Sequence, residues 1–231
     1  MKNNQFLALF LVVLTSLFFT GSVFAHSRNF VWTYEWFTTP QGTPELELWY
    51  TAHPDKDKSV EQIELEYSVT DRWVVAPYFI YERYDDKANV KGWKFEQRYR
   101  FGNFSRYKIL PSAYFEVKKL DGKSHKGELK LLLSYLTDDM IFALNLIAER
   151  NFAPHSKTEK AFSFGAAKRS GKKWTIGAEV KGEISTPEYY VGPTIGYQID
   201  ANQRIILGSQ FGLSKASEDQ MIRVIYEYEW K

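Results

Sequence analysis

Residues 219–230 read DQMIRVIYEYEW. Ile222, Val224, Tyr226, Tyr228 and Trp230 fall on one side of a period-two repeat, and Arg223, Glu227 and Glu229 fall on the other. A period of two marks an extended strand whose side chains alternate between two faces. The same repeat recurs upstream. Leu46, Leu48 and Tyr50 alternate with Glu45, Glu47 and Trp49. Ile63, Leu65, Tyr67 and Val69 alternate with Gln62, Glu64, Glu66 and Ser68. Trp93, Phe95, Tyr99 and Phe101 alternate with Lys94, Glu96, Arg98 and Arg100, with Gln97 interrupting the apolar side. Leu129, Leu131, Leu133 and Tyr135 alternate with Glu128, Lys130 and Ser134, with Leu132 interrupting the polar side. Two stretches are apolar on both faces: WVVAPYFIY at 73–81 and much of MIFALNLIA at 140–148.

Twelve strands are expected, at 43–52, 60–70, 73–83, 92–101, 110–119, 127–137, 140–150, 160–169, 173–183, 189–199, 203–213 and 220–230. Most run to nine to eleven residues. That is the length of a tilted strand crossing a bilayer, whereas strands of globular proteins average about five or six residues. The connections add a second signal. TDR (70–72), TDD (137–139), SGK (170–172) and DAN (200–202) are tight turns, and GNFSRYKI (102–109) is the exception at that end. At the other end HPDKDK (53–58), YDDKANV (84–90), LDGKSHK (120–126), NFAPHSKTE (151–159), ISTPE (184–188) and SKASED (214–219) are longer and more polar. Short periplasmic turns opposite longer outer loops characterise outer-membrane barrels, and an even strand number returns both chain ends to the periplasm.

The chain has 231 residues, which suits one barrel. It has no cysteine, so disulfides and thiolate metal sites are excluded. The net charge is +2, with no concentrated basic face, which argues against a nucleic-acid partner. Aromatic residues make up 17%, in keeping with strands and with membrane interfaces. Residues 1–25 place Lys2 before the apolar run FLALFLVVLTSLFF, then Val23 and Ala25 ahead of His26, the layout of a cleaved signal peptide. Residues 26–42, HSRNFVWTYEWFTTPQG, precede the first long strand and are expected to form a lumen plug, a periplasmic segment or a short extra strand. The transmembrane barrel itself is expected over 43–231.

On these features the chain resembles Gram-negative outer-membrane β-barrels: the signal at 1–25, the long alternating hairpins, and the aromatic-terminated last strand. Ile222, Val224, Tyr226, Tyr228 and Trp230 match the positions that such proteins present to the barrel assembly machinery, although Lys231 adds one residue after the aromatic. The resemblance implies an all-β, antiparallel transmembrane barrel of twelve strands in the cell outer membrane, with membrane lipid and the assembly machinery as partners. Barrels of this size include nucleoside-specific channels, acidic-oligosaccharide channels and an outer-membrane phospholipase, so strand count does not choose a function.

Charge facing lipid costs roughly 2–4 kcal/mol for Arg or Lys at mid-depth. The charged face is therefore expected to line the lumen: Glu64, Glu66, Lys94, Glu96, Arg98, Arg100, Lys130, Glu179, Lys181, Arg223 and Glu227, together with Glu45, Glu47, Glu116, Lys118, Glu128 and Glu229. Such a face suits a narrow channel for small polar or charged solutes, or a closed structural barrel whose charges pair internally. Arg98 and Arg100, near Lys94, form an anion-facing ladder, with Glu64, Glu66 and Glu96 as competing internal partners. A lipid-modifying enzyme is a weaker reading. The four histidines fall in expected loops or the N-terminus, no G-x-S-x-G elbow occurs, and the pairs Ser124–His125 and His155–Ser156 are merely adjacent. Asp55 with Asp57, Asp85 with Asp86, and Asp138 with Asp139 read as solvated turns rather than metal ligands. No P-loop or dinucleotide fingerprint is present, and no cofactor or catalytic residue is expected. A soluble secreted β-barrel or sandwich is the remaining alternative. It would bury the apolar face and wet the polar one.

Overall fold

The computed structural model describes residues 28–84 and 87–230. The expected signal peptide lies outside them. Twelve strands follow one another in the described chain: β1 (Pro44–His53), β2 (Lys58–Thr70), β3 (Trp73–Tyr84), β4 (Lys87–Arg100), β5 (Ile109–Leu120), β6 (Lys126–Leu136), β7 (Met140–Asn151), β8 (Thr158–Ser170), β9 (Trp174–Glu183), β10 (Glu188–Gln198), β11 (Gln203–Gly212) and β12 (Gln220–Glu229). Each pairs antiparallel with its neighbours in sequence. β1 pairs with β12, with Leu48 opposite Tyr226 and Tyr50 opposite Val224, and this seam closes the barrel.

Strand ends agree with the alternation pattern to within two residues at all but one place. The polar stretch 84–90 was expected as an outer loop. Instead β4 begins at Lys87 and pairs back onto β3, with Tyr84 opposite Lys87. The pairing satisfies backbone groups that a loop would have left to water, and polar side chains beyond the membrane do not oppose a strand.

The two faces are those of a membrane barrel. Ile63, Leu65, Phe79, Phe95, Leu129, Leu131, Ile176 and Leu207 are exposed on the outside. Their charged strand neighbours Glu64, Glu66, Lys94, Glu96 and Glu179 are buried inside. Outward aromatics gather at the end carrying the tight turns. There Trp174 and Tyr197 lie 4.5 Å apart, Tyr99 and Phe101 5.3 Å, and Tyr135 and Phe142 6.3 Å between ring centroids. An apolar belt with an aromatic girdle and a polar interior is the reverse of a soluble β-domain. The architecture is that of an outer-membrane β-barrel.

Residues 28–42 form no strand. They fold into the lumen, where Phe30, Val31, Thr33, Tyr34, Glu35 and Trp36 are buried. This explains the two stretches that are apolar on both faces. Val31 and Tyr34 pack in one cluster with Ala76 and Tyr78 of β3, Leu132 of β6, Ile206 of β11 and Ile225 of β12. Phe30 and Trp36 pack in a second with Leu110, Leu136, Ala167, and Ile141 and Ala143 of β7. β3 and β7 have lipid on one side and the inserted segment on the other, and Leu132 interrupts its polar face for the same reason.

Two inward glycines make room for the segment. A Cβ at Gly165 would lie 2.6 Å from the Phe30 ring, and one at Gly208 would lie 2.3 Å from Val31 Cγ2. Glycine is used here because backbone and inserted side chain approach closely. Replacing Gly165 with leucine should therefore expel the segment without disturbing strand pairing. The overlap of several carbon atoms exceeds the ~1–3 kcal/mol typical of overpacking. Limited proteolysis of the folded protein checks this: cleavage within 28–42 should appear in the variant while heat-modifiable gel mobility persists.

Candidate functional site: a plugged and charged lumen

Both termini of the barrel lie at the end with the tight turns, which faces the periplasm in outer-membrane barrels. From there the segment rises to an apex at Val31–Thr33 and returns to β1. Its backbone is held by side chains from the wall. The Glu179 carboxylate accepts three consecutive N–H groups, from Val31 (2.8 Å), Trp32 (2.9 Å) and Thr33 (2.8 Å). Asn145 pairs with Tyr34 at both backbone atoms, accepting at 2.7 Å and donating at 2.8 Å. Ser134 Oγ accepts from Trp36 N at 2.9 Å, and Arg223 Nη1 donates to Val31 O at 2.8 Å. These bonds do for an irregular segment what ladder bonds do for a strand, since buried backbone groups must be paired.

The segment also ties to itself and to the periplasmic mouth. Glu35 accepts from Asn29 N at 2.7 Å and from Asn29 Nδ2 at 2.8 Å, closing the rising arm onto the returning one. Thr38 Oγ1 donates to Asp71 O at 2.9 Å. The one long periplasmic connection, between β4 and β5, covers the place where the segment leaves. Trp36 Nε1 donates to Phe101 O at 3.2 Å, and the Trp36 and Phe37 rings each lie 6.3 Å from that of Phe104.

Above the apex lies a vestibule of about 450 Å³ opening toward the outer loops. Trp32, Tyr34 and Trp49 belong to its floor. Most of its cations are paired. Lys94 meets Glu116 at 3.1 Å and lies 3.7 Å from the Tyr78 ring centroid. Lys130 meets Glu128 at 2.9 Å and sits between the Tyr34 and Tyr114 rings, at 4.3 and 4.1 Å. Lys58 and Lys91 both meet Glu82, at 2.5 and 2.9 Å. Two cations differ. Lys181 Nζ reaches only the Met221 sulfur, at 4.0 Å, and lies 4.6 Å from the Tyr190 ring and 5.9 Å from that of Trp32. Arg223 lies 5.0 Å from the Trp32 ring and bonds Thr51 Oγ1 at 2.9 Å, besides Val31 O. Among the described residues, no carboxylate lies within ion-pair distance of either.

The outer rim is pinned across the barrel seam. Glu218, before β12, bonds His53 Nδ1 and Lys56 Nζ, both at 2.7 Å, and Asp55 accepts from Gln220 N at 3.1 Å. Partial burial pushes the Glu218 carboxyl up, but its bonds to Lys56 and His53 outweigh this and hold it below the usual range.

The residues singled out in the sequence thus divide into levels. Lys94, Lys130, Lys181 and Arg223 belong to the vestibule. Glu179 holds the apex. Glu64, Glu66, Glu96, Arg98 and Glu227 are buried in the lower lumen beside the inserted segment. There Arg98 pairs with Glu66, and with Glu96 at 3.0 Å. Arg100 stands at the periplasmic mouth, 4.7 Å from the Trp36 ring, donating to Asp71 O. Arg98 and Arg100 therefore contact the segment and the mouth rather than the vestibule. Ile222, Val224, Tyr226 and Tyr228 follow the outer register of β12, and the Trp230 ring lies 5.0 Å from that of Tyr228.

No protein-family model matches the chain, and no curated protein matches it in sequence. Solved structures do. The KdgM porin in complex with disordered oligogalacturonate superposes with a TM-score of 0.65 at 12% identity, covering 81% of this chain and 99% of that one. An outer-membrane channel from Pseudomonas putida F1 gives 0.61 at 11%, covering 84% and 98%. The NanC porin gives 0.56 at 7%, covering 80% and 98%. The chain has the porin-barrel fold. At such low identity the likeness concerns the path of the backbone, and the inserted segment and its anchors have to be read from this chain alone.

Sequence reasoning placed Glu179 and Arg223 on the lumenal face but missed the other anchors. Asn145 was legible only as a polar residue inside the apolar run MIFALNLIA, and Ser134 only as a small polar member of a charged face. Arg28 and Glu35 lie in a segment whose periodicity predicts nothing about where it docks.

Proposed function

We propose that the protein is a plugged outer-membrane channel for small anionic solutes, captured in the outer vestibule before the plug moves. The observation that carries this is the pair Lys181 and Arg223 beside the Trp32 ring on the vestibule floor, two cations that have no carboxylate within ion-pair distance among the described residues. Both are half-buried, and a partly desolvated cation without a counter-charge is costly. An incoming carboxylate or sulfate removes that cost, and the indole face suits an apolar sugar or ring surface. The oligogalacturonate bound by the KdgM porin is an acidic saccharide, which supports the same solute class here. Arg223 also holds the plug apex through Val31 O, so an anion that engages the guanidinium competes with a plug contact.

Planar-bilayer recording tests the channel reading. The chain beginning at His26 should conduct weakly, and the same chain lacking residues 26–41 should conduct several-fold more. Absence of conductance from both would establish a closed barrel instead.

A further inference from the structure

We propose a divalent-cation site on the inner wall formed by β12, β1 and β2, beside the plug and independent of the solute site. Six glutamates face inward there in two cross-strand rows. Glu47 stands opposite Glu227 on one side and Glu64 on the other, and Glu45 stands opposite Glu229 and Glu66. Like charges directly opposite one another weaken a sheet, and two of these pairs, Glu47–Glu227 and Glu45–Glu229, sit in the seam that closes the barrel.

Two arginines offset part of this charge, so the six carboxylates still outnumber the cations beside them. Arg28 of the plug lies 3.4 Å from Glu47 and 3.6 Å from Glu227, and Arg98 pairs with Glu66 and Glu96. Glu64 is 0% exposed, and neither of its carboxylate oxygens has a hydrogen-bond partner among the described residues. Its carboxylate points at the others: oxygens of Glu47, Glu64 and Glu66 all lie within 4.8 Å of one another. Calcium–oxygen bonds run about 2.3–2.6 Å, so oxygens at such separations can share one ion. A small cavity of about 30 Å³ adjoins the cluster, lined in part by Glu45, Glu47, Glu66 and Glu227 and also by their partners Arg28 and Arg98. The donor set is oxygen only, which selects calcium or magnesium over softer metals. Three carboxylates and a flexible coordination shell favour calcium. Binding would convert repulsion between β1 and β2 into a cross-link between the two strands.

The test uses the chain beginning at His26, refolded in detergent free of lipopolysaccharide, with calcium chloride as the probe. Calorimetry at neutral pH should show one saturable site per chain, and the temperature at which SDS resistance is lost should rise with calcium. Glu64→Gln should abolish both effects while raising the stability of the calcium-free barrel, because it removes repulsion and keeps the side-chain volume. Glu159→Gln, at the outer rim, should leave binding unchanged. Absence of saturable uptake, or uptake undiminished in Glu64→Gln, would overturn the proposal. A cluster held by shared protons would give no calcium heat and a calcium-free barrel that gains stability as the pH falls, which also overturns it.

Discussion

Replacing Glu179 with alanine should open the barrel. Among the described residues its carboxylate is the acceptor for the Val31, Trp32 and Thr33 amides, all within 2.9 Å. Bonds to a charged acceptor contribute about 1.5–3 kcal/mol each, and amides left unpaired cost a further increment. Water entering the space left by the missing carboxylate would recover part of this, leaving a net loss of roughly 3–5 kcal/mol. Each 1.4 kcal/mol shifts a two-state equilibrium about tenfold, so the seated fraction should fall by two orders of magnitude or more. Single-channel recordings should then resemble those of the chain lacking residues 26–41. Glu179→Gln retains one acceptor oxygen and should give intermediate, flickering openings. A tightly closed Glu179→Ala barrel would place the seating energy in the two apolar clusters around Phe30 and Val31 instead.

The second large effect separates solute capture from plug seating. Among the described residues Lys181 makes no hydrogen bond to the plug backbone, whereas Arg223 bonds Val31 O. Replacing Lys181 with methionine should weaken binding of a small galacturonate oligomer about tenfold or more, the value of one charge-assisted bond. Closed-state conductance should stay as it was. Replacing Arg223 with methionine should weaken binding comparably and also raise conductance. Tryptophan fluorescence measures the binding, with Trp32→Phe identifying the reporting ring and a neutral oligosaccharide of equal length as control. Equal affinity for the charged and neutral oligomers would remove the anionic class from the proposed function.

Much of the architecture is written locally. Ile63, Leu65 and Tyr67 alternating with Glu64 and Glu66 admit only an extended strand with one lipid face, because a shift of one residue would put carboxylates into hydrocarbon. Strand length, turn asymmetry and an even strand count then require closure, since an open edge within a bilayer would leave backbone groups unpaired. Lumenal identity was legible for the same reason: Lys94, Glu179 and Arg223 have nowhere else to point. The exceptions were legible too, as exceptions. Leu132 on a polar face, and apolar residues on both sides of β3 and β7, marked places where the lumen is not filled by water.

What occupies those places was decided only in three dimensions. HSRNFVWTYEWFTTPQG carries apolar and polar residues without a period that selects one docking surface, and its partners Asn145, Glu179 and Arg223 lie more than a hundred residues away. Which charges remain free is likewise a tertiary matter. Lys94 and Lys181 look alike in sequence, each in an alternating strand with a glutamate two residues away. Cross-strand register gives the first Glu116 at 3.1 Å and leaves the second facing Tyr190 and Trp32. The sequence by itself determined a barrel with a charged interior, because alternation and length are properties of single strands. The tertiary structure decided where that interior is plugged, where it is paired and where it is left open, because those outcomes depend on neighbours that register alone brings together.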